Sequence, residues 1–265
     1  MKLIINADDY GWDQDTNLAI LQLCREEKLH GVSIMANWVD KSALQKLILF
    51  QPLVRLGVHI VLNEGKPVSD PRLIPSLVNR RGFFFTSCQL WVRYMLGLVD
   101  REHIQREVIA QMDFLREEGV QLFHADSHQH IHQFPFLGRA ILSVLKEERI
   151  RSVRNAMPLE RNDLRRKVLA WFCRFTQQNL NVFAYNDLLI TYLASNPRLE
   201  KEALQAQIEQ LKAKSIDQVE LMCHPALADK EGCYLRRRQE FEFLRSLENI
   251  KNPWEVRWEA ILQTR

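Results

Sequence analysis

Four short apolar runs in this sequence each end in residues able to bind a metal or move a proton. The first, Leu3-Ile4-Ile5-Asn6-Ala7-Asp8-Asp9-Tyr10-Gly11, delivers two adjacent carboxylates. Side by side after a buried run they repel, and a cation beside them resolves the conflict. The competing reading is a helix cap followed by solvated acids. The run Leu56-Gly57-Val58-His59-Ile60-Val61-Leu62 embeds one histidine among apolar neighbours, a pattern that also suits a hydrogen-bonded core imidazole. In His124-Ala125-Asp126-Ser127-His128-Gln129-His130-Ile131-His132, four of the chain's eight histidines fall within nine residues. If that segment is extended, His128, His130 and His132 share one face, and such density points to a metal or an imidazole-lined pocket. Finally, Val219-Glu220-Leu221-Met222-Cys223-His224-Pro225 ends on another imidazole. Neighbours on a strand point to opposite faces, so Cys223 and His224 cannot form a thiol–imidazole pair, and His224 alone is kept.

One carboxylate and two imidazoles make an open three-ligand site with room for water and substrate. With Asp9 as a ligand, Asp8 is left to accept a proton from an activated water and His224 to protonate a leaving amine. That set of parts suits amide hydrolysis. Two rivals follow from the same residues. A phosphoesterase would recruit His124, His130 and His132 for further metals, and a non-catalytic sugar-binding or metal-sensing protein would need neither Asp8 nor His224.

The elements that must position these groups are legible as βα units. Expected strands are Leu3–Ala7, Val32–Ala36, Leu56–Leu62, Leu122–Ala125, Ile150–Arg154 and Val219–Cys223. Expected helices are Asp15–Glu27, Ser42–Phe50, Arg101–Glu118, Phe136–Glu147, Leu159–Gln178 and Glu200–Ala213. The alternation implies a mostly parallel sheet or barrel, in which catalytic groups collect at the C-terminal ends of the strands. No linker or repeat divides the chain, which reads as one domain over 1–265. Prolines 67, 71 and 75 and Gly82 break the rhythm over Lys66–Leu98, suggesting an insertion or lid over the site.

Composition narrows the class. The 265 residues are 46% hydrophobic, enough for a sizeable core, and the net charge of +3 gives no field suited to nucleic acid. Five scattered cysteines without CxxC spacing fit a reducing cytoplasm. The apolar run at the N-terminus is too short for a signal peptide or a membrane span, so a soluble, cytoplasmic protein is expected.

Taken in order, Ala7-Asp8-Asp9-Tyr10-Gly11, Gly57-Val58-His59, Asp126 to His132 and Met222-Cys223-His224-Pro225 resemble the motifs of the YdjC-like carbohydrate deacetylases, which include chitooligosaccharide deacetylases. The resemblance implies a distorted, TIM-like (β/α) barrel related to the polysaccharide deacetylases, one divalent metal ion, magnesium or zinc, and a homodimer. It assigns Asp8 as base, Asp9, His59 and His128 as metal ligands, and His224 as the group assisting departure of the amine. Tyr10, Asp126, His130 and His132 would line the pocket or support the ligands. Gln129 stands where some members have a third consecutive histidine, Tyr10 replaces the more usual Phe, and Pro253 to Trp258 does not look like the family's closing strand.

The stretch Asn63-Glu64-Gly65-Lys66-Pro67-Val68, with Ile74 to Val78 and Gly82-Phe83, is similar to a branch associated with hopanoid biosynthesis, which implies a lipid-linked amino sugar as one candidate substrate. Two aromatic stretches with basic neighbours bear on this. Phe83, Phe84, Phe85, Trp91, Tyr94, Met95 and Leu96 lie among Arg80, Arg81 and Arg93. Leu164, Val168, Trp171, Phe172 and Phe175 form one helical stripe near Arg161, Arg165, Arg166, Lys167 and Arg174. They read either as core or dimer packing or as peripheral contact with a membrane surface.

Overall fold

The computed structural model describes residues 1–161, 163–191, 200–214, 216–229 and 235–248. Seven parallel strands form a single sheet: β1 (Lys2–Tyr10), β2 (Gly31–Ile34), β3 (Arg55–Ile60), β4 (Leu122–Ser127), β5 (Ser152–Val153), β6 (Leu188–Ile190) and β7 (Gln218–Cys223), in the spatial order β5-β4-β3-β2-β1-β7-β6. β1 lies inside the sheet between β2 and β7 and is buried along almost its whole length, which is why it reads as a continuous apolar run rather than an alternating one. The two outer strands do not remain open edges. Bridges between Ser152 and Ala184 and between Pro158 and Leu189 link them, with Val153 N–H donating to the Ala184 carbonyl at 2.9 Å and Leu189 N–H to that of Met157 at 2.8 Å. The sheet thus curls into the distorted barrel expected from the sequence, joined irregularly where β5 and β6 are short.

Helices pack around it: α1 (Gln14–Arg25), α2 (Lys41–Ile48), α3 (Ser87–Met95), α4 (Arg101–Glu117), α5 (Leu137–Glu147), α6 (Leu164–Leu180), α7 (Lys201–Lys212) and α8 (Arg237–Ser246). Aspartates start several of them. Asp13, Asp40, Asp100 and Asp163 each accept a backbone N–H of the first turn of α1, α2, α4 and α6, satisfying donors a helix start leaves unpaired. The inner faces of α1, α4 and α5 place Ile20, Leu23, Val108, Met112, Ile141 and Leu145 against β-strand residues in one continuous core.

Four elements differ from expectation. α6 begins at Leu164 rather than Leu159, because Pro158 and Leu159 are spent on the bridge to β6 and Asp163 caps the helix. α3 lies inside the Lys66–Leu98 stretch, and β6 and α8 were not expected at all. The unusual tail beyond Asn249 lies outside the described residues. Among the described residues no helix is long and apolar enough to cross a membrane.

Candidate metal centre and its acid–base pair

Successive residues of a strand face opposite ways, so Asp8 and Asp9 could not both enter one site from regular β structure. The strand is not regular there. Ala7 pairs with Val32 and Tyr10 with Ile34, three steps on β1 against two on β2, and Asp9 has φ 65°. This bulge, at a residue type that tolerates left-handed backbone, turns Asp9 so that its carboxylate joins the side of the sheet end that Asp8 occupies. Gly11 follows with φ 108°, and a Cβ there would lie 2.8 Å from the Val39 backbone nitrogen, so only glycine fits the turn. The helix-cap alternative for Asp8 and Asp9 falls away, because Asp13 caps α1 and both carboxylates are buried.

Asp9 Oδ1 lies 3.4 Å from His59 Nε2 and 3.4 Å from His128 Nδ1, and among the described residues it is buried without a hydrogen bond. The far nitrogen of each ring is occupied. His59 Nδ1 meets Asp126 Oδ1 at 2.7 Å, and His128 Nε2 meets Glu64 Oε2 at 3.0 Å. Carboxylates on the outer nitrogens orient imidazoles so that the inner nitrogens face a shared point. One ligand atom from each of Asp9, His59 and His128 falls within 4.8 Å of the others. An unpartnered buried carboxylate oxygen between two oriented imidazoles is what a divalent cation would satisfy, and the donor set suits zinc or a similar ion. Asp8, His59 and Asp126 also lie close enough to be grouped, but there the carboxylates already hold a guanidinium.

That guanidinium belongs to Arg154, just after β5. Its Nη1 and Nη2 donate to Asp8 Oδ2 and Oδ1, both at 2.6 Å, Nε donates to Glu220 Oε1 at 2.7 Å, and Nη2 is 2.7 Å from Asp126 Oδ2. A second arginine, Arg237 on α8, donates to Asp9 Oδ2 at 2.6 Å and leaves Oδ1 turned toward the histidines. Neither arginine stood out in the sequence.

The electrostatics follow from burial and these partners. Burial pushes the Asp9 carboxyl up, but the imidazoles of His128 and His59 and the nearby His224 outweigh it and hold Asp9 well below the usual carboxylate range. His59 is opposed by burial yet raised to about 10 by Asp126, Asp9 and Asp8. A cation held by these groups would have to displace a proton from the His59 imidazole. Burial raises Glu220 to about 7 despite Arg154.

His224, directly after β7, has Nε2 4.0 Å from Asp8 Oδ2. Its backbone N–H donates to Glu240 Oε2 at 2.5 Å, which ties the end of β7 to α8. Burial lowers its imidazole to about 4, against the raising effect of Asp9 and Asp8, so the ring is neutral at neutral pH. Cys223 points the other way, its thiol donating to the Asn6 carbonyl at 3.2 Å, as strand alternation requires.

The remaining expected residues divide. Asp126 supports the site by bridging His59 and Arg154. His130 and His132 do not share a face with His128, because residues 128–133 form a tight 3₁₀ segment with Gln129 at φ 53° and His130 at φ 57°. His132 points into the interior and is fully buried, with Nδ1 2.5 Å from Ser127 Oγ and Nε2 2.8 Å from the Arg154 carbonyl. It holds the backbone that presents Arg154. His130 is partly buried and joins no ligand group among the described residues. Tyr10 does not face the site as a pocket residue. Its ring is wholly buried in the core, and its hydroxyl donates to the Ala43 carbonyl on α2 at 2.7 Å. His124 Nε2 lies 3.1 Å from Ser33 Oγ, beneath the cluster. Beside His128, Trp12 stacks on Trp38 with ring centroids 5.2 Å apart and forms an aromatic wall to the site.

The sequence model of the YdjC-like proteins matches residues 2–251. The chain belongs to the YdjC-like family. Among its relatives, a carbohydrate deacetylase of Vibrio parahaemolyticus is 28% identical over 251 residues, covering 93% of this chain and 88% of that protein. A chitooligosaccharide deacetylase of Yersinia pestis is 25% identical, covering 86% and 83%. A carbohydrate deacetylase of Brevibacillus brevis reaches 33% identity over a shorter match, 57% of this chain and 58% of that protein. Among solved structures, a protein from Enterococcus faecalis V583, described as a candidate cellobiose-phosphate cleavage protein, superposes with a TM-score of 0.73. Its identity is 22%, over 93% of this chain and 91% of that one. At that identity the likeness shows the fold alone.

Proposed function

We propose that this chain is a metal-dependent hydrolase that removes the acetyl group from the nitrogen of an amino sugar, carried in an oligosaccharide or a glycolipid. The observation that carries the reading is the convergence of an unpartnered Asp9 Oδ1 with His59 Nε2 and His128 Nδ1, next to a second carboxylate and an imidazole that take no part in that group. The names of the relatives supply the substrate class.

Asp9, His59 and His128 would hold the ion, which when bound lowers the pKa of a water and polarises the acyl oxygen. The chain's own groups handle the protons. Asp8 Oδ1 already accepts from Asn6 Nδ2 at 2.8 Å and from Arg154, whereas among the described residues Oδ2 accepts from Arg154 alone. Oδ2 therefore keeps a lone pair for a proton, and Oδ2 is the oxygen facing His224. The 4.0 Å gap between them is too long for a hydrogen bond and leaves room for reacting atoms. In this scheme the attacking water forms the new C–O bond and gives its proton to Asp8 Oδ2. The C–N bond breaks with its electron pair going to nitrogen, and His224, neutral at rest, relays the proton to that nitrogen. Acetate and the free amine result.

A phosphoesterase with several metals is less well supported. His132 spends both ring nitrogens on Ser127 and the Arg154 carbonyl, and among the described residues neither His124 nor His130 joins a group of side chains close enough to hold a second ion. The test is acetate release from free, oligomeric and lipid-linked N-acetylated sugars, each with magnesium, zinc, manganese or cobalt. Release from at least one amino sugar, dependent on metal, is expected. Phosphate release from sugar phosphates with no acetate released would overturn the assignment.

A further inference from the structure

α6 is amphipathic in an unusual direction. Phe172, Cys173, Thr176 and Leu180 face inward, yet the opposite stripe, Leu164, Val168, Trp171 and Phe175 at spacings of four, three and four, is not polar. These side chains are exposed, Leu164 by 77% and Trp171 by 57%. Phe136 extends the stripe. Its backbone has φ 63°, a conformation bulky residues rarely adopt, and this holds its exposed ring 5.2 Å from Phe175. α3 and the turn after it present a second apolar strip, with Val92, Met95, Leu96 and Leu98 all exposed. An aromatic seam joins the two helices, since Trp91 of α3 lies 5.6 Å from Phe172 and Phe172 lies 5.4 Å from Trp171.

The charge on these helices has one sign. α6 carries Arg165, Arg166, Lys167 and Arg174 and no acidic residue, and α3 carries Arg93 and no acidic residue. On a helical projection Lys167 and Arg174 flank the apolar stripe on one side and Arg165 on the other. Apolar and aromatic side chains along the centre and cations on both margins are the pattern of a helix lying in the headgroup region of an anionic bilayer. The carboxylates just before α6, Glu160 and Asp163, are paired with Arg166 at 3.5 and 3.3 Å. A second copy of the chain is a poorer occupant. Two-fold pairing through α6 would bring Lys167 and Arg174 of the two copies against each other, with those carboxylates already engaged by Arg166.

We propose that the exposed face of α3 and α6 docks on an anionic membrane surface, and that this places the deacetylase site against the headgroup layer. Both helices reach the site from their inner sides. Ser87, at the start of α3, hydrogen-bonds to Gln129 and accepts from Asn63 at 2.7 Å. Thr176 of α6 donates to Gln133 Oε1 at 2.7 Å, and Gln133 Nε2 donates to the Arg154 carbonyl at 3.2 Å. The 128–133 turn that carries His128 thus rests on the two helices that would meet the membrane.

Co-sedimentation of the full chain with sucrose-loaded vesicles tests this without reference to catalysis, so its failure leaves the assigned reaction standing. Equimolar phosphatidylglycerol and phosphatidylcholine vesicles at low salt are expected to bind at least roughly tenfold more protein than phosphatidylcholine alone, with binding falling as salt screens the charges. Trp171→Ser with Phe175→Ser, and separately Lys167→Glu with Arg174→Glu, are expected to reduce binding about tenfold while thermal midpoints stay parental, because these side chains are exposed. Absence of wild-type binding to anionic vesicles overturns the proposal, as does undiminished binding by both variants. A wild-type dimer that the Trp171/Phe175 variant converts to monomer, with no vesicle binding, would assign the face to a second copy instead.

Discussion

Replacing Arg154 with methionine removes the one cation that Asp8, Asp126 and Glu220 share, while keeping most of the side chain's volume. Arg154 is 4% exposed and makes contacts of 2.6 to 2.7 Å to all three carboxylates. Breaking a buried ion pair by deleting one partner costs about 3–5 kcal/mol, since the remaining charge is left without compensation. That is a large share of the roughly 5–15 kcal/mol that holds a domain folded. At roughly 2–4 °C per kcal/mol for a chain of this size, the melting midpoint at pH 7.5 should fall by on the order of 10 °C. The loss should also depend on pH. Burial already raises Glu220 to about 7, and removing Arg154 takes away the group that opposes that rise. A carboxyl whose folded pKa lies above its unfolded one contributes stability at low pH, where it is protonated, that is lost as pH rises through the folded value. The gap between wild type and Arg154→Met in thermal or urea unfolding should therefore narrow from pH 8 to pH 5. A variant that melts within about 2 °C of wild type at both pH values would refute the reasoning, since that is less than the cost expected of one uncompensated buried charge.

Further outcomes follow from the surrounding shell. His132 is lowered to about 4, chiefly by burial, so its unfolded form binds a proton between about pH 6.5 and 4 while the folded form does not. Its contribution of about 3 kcal/mol, present above pH 6.5, is lost as pH falls through 4. His132→Gln should show less acid destabilisation than wild type in urea melts, and parallel pH curves would contradict this. Gly57→Ala would put a Cβ 2.6 Å from His124 Cε1 on the neighbouring strand. Displacing that ring from Ser33 should cost about 1–3 kcal/mol by equilibrium unfolding, and a neutral substitution would mean the ring has room to move.

The frame of the site was legible because parallel strands buried on both faces write themselves as Val- and Ile-rich runs, and the polar residues that end them stand out. Asp9, His59, His128 and His224 are read in that way. What escaped has a common physical cause. Arg154 also follows a strand, but a rule that searches for metal-binding residue types passes over a cation whose role is to neutralise carboxylates arriving from three other strands. Arg237 belongs to a helix whose pattern went unread, and its partner lies 228 positions away. The bulge at Asp9 and the left-handed turn at Gln129 and His130 are backbone events without a strong residue signature. The first lets Asp8 and Asp9 act together, and the second separates His128 from His130 and His132. β6, at three residues, is too short to show a period. The exposed stripe on α6 was visible as a stripe, whereas its direction, toward solvent, depended on which face the barrel covers.

The division of labour between the two adjacent aspartates is the centre of the account, and paired measurements of bound metal and acetate release on Asp8→Asn test it most directly. Asn keeps the shape of the side chain but cannot take the proton. The account predicts that Asp8→Asn binds about one ion per chain, as the parent does, while acetate release from N-acetylated sugars falls by about 10²- to 10⁴-fold. Metal retained with turnover unchanged would contradict it.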